Sequence, residues 1–302
     1  MQPNWMQPGV YPAAVTPHRM DGHEADYGAM LELVDFLSRF GTQGVCLLGE
    51  TGEFLNIRFS DRIRLVHLAV KRSRVPIVAG VSHSTLDGAL ELASEAISSD
   101  AGALLLMPPY FFRYSQADVL EFYRQFASQI RRDIPILLDN LPQFTTTIEI
   151  ETARELLVGG RFAGIRDSGS DPAYLQQLLS LQSELGFQLF SGHDRGYAQL
   201  RSQGVSGIMS PAAGIVPELY VALDRAISEA AAQKIDLLEC KIRELADWID
   251  RFPAPVAAKA AVALRKLKTG PLSVPLSPEK DAMLVEFRKW FTPWLESLKN
   301  VT

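Results

Sequence analysis

The chain has 302 residues, of which 47% are apolar and 22% are charged, and its formal net charge is −5 at pH 7. This composition is typical of a globular protein with a large core. The small net charge gives no reason to expect nucleic acid or an anionic membrane as a partner. No apolar run reaches the ~20 residues of a membrane span, and residues 1–9 lack the regions of a signal peptide. We therefore expect a cytoplasmic protein.

Two cysteines, Cys46 and Cys240, are too few for a disulfide framework, and no Cys/His cluster has the spacing of a zinc site. We predict that both are buried thiols. The sequence also contains neither a Walker motif nor a dinucleotide fingerprint. We therefore expect no cofactor and no metal.

Short apolar runs alternate with helical patterns from Gly9 to about Leu223, which predicts repeated βα units around a parallel sheet. The predicted strands are Val10–Thr16, Gly44–Leu48, Pro76–Val81, Ala103–Met107, Pro135–Leu138, Phe162–Ile165, Phe187–Ser191 and Gly207–Ser210.

Between these runs, apolar residues recur at i, i+3 and i+4, the pattern of amphipathic helices. The predicted helices are Asp26–Phe40, Ser60–Arg72, Thr85–Ser98, Ser115–Ile130, Ile150–Val158, Pro172–Glu184 and Asp194–Gln203, with Ser60, Thr85, Ser115 and Asp171 as N-caps. After Pro217 the pattern predicts helices only, over residues 217–250, 255–269 and 278–298.

Eight such units without a long break predict an α/β fold, a closed (β/α)8 TIM barrel with a C-terminal helical extension. A doubly wound open sheet is the alternative. We assign residues 1–223 to the barrel and residues 224–302 to the extension, packed together as one structural unit.

In such a barrel the functional residues follow the strands, so their side chains meet at one mouth. The residues at these positions are Thr16, His18, Glu50, Thr51, Glu53, His83, Tyr110, Asp139, Asn140, Arg166, Asp167, Ser168, His193, Asp194 and Ser210. Carboxylates, an arginine, hydroxyls and imidazoles together predict a polar pocket for a small, carboxylate-bearing molecule.

Several of these segments resemble the dihydrodipicolinate synthase and N-acetylneuraminate lyase family. They are Gly9–Pro17, Gly49–Glu53, Asn140–Pro142, Gly164–Ser168, Ser191–Asp194, Gly207–Glu218 and Pro255–Ala261. The resemblance implies a (β/α)8 barrel, a homo-oligomer (tetramer or dimer), and an enzyme that condenses or cleaves 2-oxo acids through a Schiff-base lysine and a relay tyrosine.

The sequence departs from the family at the residues that carry this chemistry. Arg166 stands where the family has the Schiff-base lysine, and Asp139 where it has the relay tyrosine. Glu50 replaces a hydroxyl residue, and Phe144 replaces an arginine of the synthases. An arginine stays protonated and has no amine lone pair for imine formation. We therefore predict a divergent member that lacks the covalent mechanism.

Two interpretations of the mouth remain open. In one, Arg166, Asp139 and Glu50 catalyse a non-covalent lyase, hydratase or isomerase reaction, with Asp139 or Glu50 as general base. In the other, the barrel is an inactive small-ligand-binding or regulatory protein, and the three residues form a structural ion-pair network. In either case the predicted ligand contacts are Thr51, Tyr110, Ser168, Gly192, His193 and Ser210.

Overall fold

In the computed structural model, residues 6–22, 24–299 and 301 are described. Residues 1–5, which belong to the segment 1–9 considered above for a signal peptide, lie outside the described residues. Residues 300 and 302 of the predicted extension also lie outside them. The strands in the described part are β1 Gly9–Val10, β2 Val45–Leu47, β3 Ile77–Gly80, β4 Ala103–Leu106, β5 Ile136–Asn140, β6 Gly164–Asp167, β7 Gln188–Ser191 and β8 Gly207–Ile208.

All strand pairs are parallel, and each strand lies beside its neighbours in the chain, with β1 paired to β8. The two ends of this order meet through a parallel bridge between Ala13 and Cys46. The Ala14 amide donates to the Cys46 carbonyl, and the Cys46 amide donates to the Pro12 carbonyl, both at 2.9 Å. The sheet is therefore closed, and the predicted (β/α)8 barrel is confirmed.

The helices over the same residues are α1 Tyr27–Ser38, α2 Phe59–Arg72, α3 Leu86–Ser98, α4 Gln116–Gln129, α5 Ile150–Leu157, α6 Pro172–Leu185, α7 Tyr197–Ser202, α8 Pro211–Ile215, α9 Pro217–Ser228, α10 Ala232–Ile249, α11 Val256–Leu264 and α12 Pro278–Leu298. Thr85, Ser115 and Asp171 cap their helices as predicted, each accepting a backbone N–H. The prediction for Ser60 was wrong, because α2 begins one residue earlier.

Several predicted elements are shorter or divided in the structure. Residues 217–250 form two helices, because Ala230 adopts a left-handed conformation with φ of 52° between them. Lys266, with φ of 65°, follows the end of α11, so this helix stops well before residue 269. The predicted eighth strand loses its end because Ser210 is the N-cap of α8. Cys240 is exposed on α10, which corrects its prediction as a buried thiol.

The interior of the barrel is apolar below its mouth. It is filled by side chains that lie on the strands or directly after them. These are Tyr11, Cys46, Val78, Ala103, Leu105, Leu137, Phe190 and Met209, together with Met6. Phe190 packs edge-on against Tyr11 with 5.3 Å between ring centroids. A second, larger core lies between the strands and the surrounding helices. The polar site is therefore confined to one end of the barrel.

The C-terminal helices pack through aromatic side chains, namely Trp248, Phe252, Phe287, Trp290, Phe291 and Trp294. Trp294 also donates to the Glu244 carboxylate at 2.7 Å. The proposed boundary at residue 223 falls inside α9, and the division into barrel and extension stays a prediction. Within the described ranges, no helix combines the length and the apolar character needed to cross a membrane.

Replacing Phe190 with alanine is expected to lower the free energy of unfolding by about 3–5 kcal/mol, because the side chain is fully buried and its neighbours close the resulting cavity only in part. Urea titration measures this loss. Val158→Ala, at a side chain that is 65% exposed, is the control and should change stability by no more than about 0.5 kcal/mol. Equal, small losses in both variants would contradict a tightly packed interior.

Candidate functional site

Asp139 and Arg166 come together because β5 and β6 pair in a register that sets them directly opposite each other. Asp139 follows the interior residue Leu137 by two positions, so the alternation of a strand places its side chain on the same interior face. The pair therefore projects into the barrel above its apolar filling.

The two side chains form a bidentate ion pair. Arg166 Nε donates to Asp139 Oδ1 at 2.7 Å, and Nη2 donates to Oδ2 at 3.1 Å. Their side chains are 3% and 1% exposed, respectively. Burial raises the pKa of Asp139 and the charge of Arg166 opposes this rise. Both oxygens of the Asp139 carboxylate are thus engaged by Arg166, and the catalytic role of this pair stays a prediction.

A second polar pair lies one position further along the same strands. Asn140 faces Asp167 in the register and donates to its Oδ1 at 2.7 Å. The side-chain oxygen of Asn140, Oδ1, accepts a hydrogen bond from the Ile148 N–H at 3.0 Å. This pair anchors the loop that follows β5, which is a structural role.

Glu50 lies in the turn after β2 and is half-buried. The turn is held by hydrogen bonds from Gly52 N to the Gly49 carbonyl and from Glu53 N to the Glu50 carbonyl, at 3.1 and 3.0 Å. In the described part of the chain, the Glu50 carboxyl group has no hydrogen-bond or ion-pair partner. Burial raises its pKa, and the positive charge of Arg166 partly offsets that rise.

A cavity of about 710 Å³ opens at this end of the barrel. Six of the residues that line it follow strands β2, β6 and β7, namely Glu50, Thr51, Ser168, Gly192, His193 and Asp194. Its wall also includes Val256, Ala257 and Ala258 at the start of α11. The C-terminal helices therefore contribute to the cavity, which the sequence did not predict.

The loops after β6 and β7 pack closely. A Cβ atom on Gly192 would lie 1.8 Å from Ser168 Oγ, so a larger residue here would force the Ser168 side chain to move. His193 Nε2 lies 2.5 Å from the Gly169 carbonyl and donates to it. His193 thus fixes the Gly169 loop, while Ser168 reaches the cavity.

Two predicted contacts lie away from the cavity lining. Ser210 is fully buried and accepts the Ala213 N–H as the cap of α8. Tyr110 is half-buried and packs edge-on against Phe54 at 5.5 Å. Their roles in ligand binding stay predictions.

Asp194 was absent from the predicted set of contacts although it lines the cavity. Its Oδ1 accepts the Ala212 N–H at 3.0 Å. Burial raises the pKa of Asp194 to about 6, although hydrogen bonds with Ser210 and Ala212 lower it in part. Its place directly after His193 at the end of a strand was the only signal in the sequence.

Over the described ranges, no group of three His, Cys, Asp or Glu residues is arranged to hold a metal ion.

A closed parallel barrel with a polar cavity at the carboxyl ends of its strands is a (β/α)8 barrel whose site is in the position usual for enzymes of this fold. The chain matches the dihydrodipicolinate synthetase family over residues 6–292, and it belongs to that family. The predicted resemblance is therefore confirmed at the level of the family.

The relatives match along almost their whole length. The 4-hydroxy-tetrahydrodipicolinate synthase of Methanothrix thermoacetophila is 27% identical over 285 residues, covering 94% of this chain and 96% of that protein. The enzyme of the same name from Methanosphaerula palustris is 29% identical over 287 residues, covering 92% and 97%. The structure of 4-hydroxy-tetrahydrodipicolinate synthase from Methylacidiphilum fumariolicum superposes with a TM-score of 0.87 at 24% identity, covering 98% and 99%, which concerns the fold alone.

Arg166→Met and Asp139→Leu are each expected to lower the free energy of unfolding by about 3–5 kcal/mol, because each leaves the other charge buried and unpaired. The double variant should lose much less than the sum, since no unpaired charge remains. Chemical denaturation of the four proteins measures this coupling. Additive losses would contradict a mutually neutralising pair.

Asp194→Asn is expected to stabilise the protein at about pH 7.5 by ~1–2 kcal/mol. With its folded-state pKa raised to about 6, Asp194 contributes stability below its unfolded pKa of about 3.9 and loses it as the pH rises through about 6. The asparagine keeps the acceptor for Ala212 and avoids the buried charge. Urea unfolding at about pH 7.5 and pH 4 measures the difference. A gain of the same size at both pH values would contradict this assignment.

Proposed function

We propose that the cavity binds a small carboxylate-bearing molecule, with a 2-oxo acid as the leading class, and that Glu50 acts on it as a general acid or base without a covalent intermediate. The observation that carries this proposal is the contrast between two carboxyl groups. Asp139 is held by both donors of a bidentate arginine, whereas Glu50 lines the cavity without a partner in the described chain. The family of the chain supports the substrate class.

Arg166 is the electrostatic group of the proposed reaction. Asp139 engages Nε and Nη2, which leaves Nη1, located 4.0 Å from the position of a Cβ on Gly49. Arg166 is only 3% exposed and is not among the residues that line the cavity, so in this proposal it stabilises a developing enolate through its charge, from behind the Glu50 turn. A guanidinium has no free amine lone pair and forms no imine with the ketone. Charge stabilisation of the enolate therefore takes the place of imine formation.

Three further residues of the cavity lining supply polar contacts to the ligand in this proposal. Thr51 and Ser168 supply hydroxyl groups to the lining, and Asp194 supplies a second carboxyl group.

We further propose that the chain forms a homo-oligomer. The phenylalanines of the loop after β4 support this, since Phe111 is 87% exposed and Phe112 is 65% exposed, and such aromatic side chains are enriched in interfaces.

A ligand-binding or regulatory protein without turnover is the second candidate. The commitment of Asp139 to Arg166 favours it, because a structural pair of this kind performs no chemistry. The two candidates differ in whether a bound 2-oxo acid loses a proton to Glu50.

Pyruvate in D₂O tests the proposal through the loss of its methyl signal in ¹H NMR. The wild-type protein is expected to catalyse this exchange, because the Glu50 carboxylate removes the proton from carbon 3 while Arg166 stabilises the enolate. The rate should rise with pH through the raised pKa of Glu50, whereas pyruvate binding, followed by calorimetry, should weaken, because the carboxylate form repels the ligand. Glu50→Gln should reduce exchange at least about 100-fold and reduce the pH dependence of binding to the part that Asp194 contributes.

Glu151→Gln, at an exposed carboxyl group on α5, is the control and should leave both measurements unchanged. Borohydride reduction with pyruvate should give no adduct in the intact mass. An adduct would overturn the non-covalent part of the proposal. Binding without exchange would support the second candidate, and the absence of binding would exclude pyruvate from both.

A further inference from the structure

Lys259 is a buried lysine on α11 that connects three separate segments of the chain. Its side chain is 2% exposed, and its Nζ forms an ion pair with the Glu53 carboxylate. The same Nζ lies 3.0 Å from His18 Nδ1. Glu53 is only 6% exposed and accepts a further hydrogen bond from Ser273 Oγ at 2.8 Å. The C-terminal helices and the loops after β1 and β2 are therefore joined through one buried ammonium group.

Glu53 closes the turn that carries Glu50. Its backbone is left-handed, with φ of 50°, a conformation that costs a residue other than glycine about 1 kcal/mol or more. The same turn is tied to the first loop by Thr16 Oγ1, which donates to the Gly52 carbonyl at 2.6 Å. A short turn with this conformation depends on outside contacts to keep one geometry.

The helix that carries Lys259 also forms part of the cavity wall. Ala257 and Ala258 line the cavity, and the next residue along α11 is the one that reaches Glu53. Lys259 itself is not among the lining residues. Burial lowers the pKa of its ammonium group, and Glu53 opposes this. The ion pair thus directs the lysine at the turn and not into the cavity.

We propose that Lys259 is a positioning residue that holds Glu50 at the cavity by fixing the turn 49–53 through Glu53. The inference rests on the proposed function for the role of Glu50, but the restraint of the turn stands on the contacts alone. An ion pair that only stabilised the fold would add to global stability without a local effect on this turn. The proposal instead requires that the turn loosens before the protein unfolds.

Hydrogen exchange of the unliganded full-length protein, followed by mass spectrometry, tests this directly. In Lys259→Met, amide exchange in a peptide spanning residues 49–56 is expected to rise about ten-fold or more, since Glu53 loses its counter-ion and the turn opens locally. Glu53→Gln should raise exchange in the same peptide, and it carries the test if Lys259→Met does not fold. The double variant should exchange little faster than either single variant. Lys259→Arg, which retains the charge, should restore part of the protection.

Arg265→Met is the matched control. Arg265 follows the same helix and forms a partly buried ion pair with Glu218 at 2.7 Å and a hydrogen bond to the Ile215 carbonyl, neither of which belongs to the turn. It should leave exchange in residues 49–56 unchanged even where global stability falls. The proposal would be overturned if both variants raised exchange in this peptide equally, or if Lys259→Met raised exchange uniformly over the chain.

Pyruvate separates the two proposals. If the wild-type protein catalyses exchange of the pyruvate methyl protons, Lys259→Met is expected to shift the pH midpoint of that activity, whereas Arg265→Met should not. If pyruvate is inert but the turn loosens in Lys259→Met, the restraint of the turn by Lys259 stands and the proposed reaction of pyruvate at Glu50 fails. If pyruvate is turned over and the midpoint and the turn are unaffected by Lys259→Met, the positioning role fails alone.

Discussion

The buried ion pair of Arg166 and Asp139 is the constraint around which the mouth of the barrel is arranged. Removing both charges from water costs several kcal/mol for each ion, and only their close, bidentate contact offsets this cost. The parallel register of β5 and β6 provides that contact without distortion. Because both Asp139 oxygens are engaged in this way, Glu50 is the carboxyl group to which we assign the proposed chemistry of the mouth.

The convergence of these residues was predictable because parallel strands all end at the same edge of a barrel. Their pairing was not, since it depends on the register between two strands whose pairing residues are 27 positions apart. The sequence therefore left Asp139 and Glu50 equally eligible as the base. In the structure Asp139 contacts Arg166, whereas Glu50 has no such partner in the described chain, and neither fact leaves a local mark in the sequence.

The same distinction explains where the predicted fold succeeded. Thr85 and Ser115 cap their helices because the hydroxyl residue and the first turn are adjacent in sequence, and their patterns are visible directly. The break at Ala230 has no such signal, because alanine favours a helix and its left-handed conformation is imposed from outside. The helix α8 is short and apolar, and its N-cap Ser210 was predicted as the last residue of the eighth strand.

Lys259 shows why a motif at the strand ends does not define the whole site. Its contact with His18 joins residues 241 positions apart, so no spacing rule brings it to attention. In the sequence it falls within the predicted helix 255–269 of the extension, far from the strand ends. In the folded chain, the turn with Glu50 receives restraints from the first loop, from α11 and from the segment after α11. A change in the extension is thus able to alter the mouth without touching any residue that lines it.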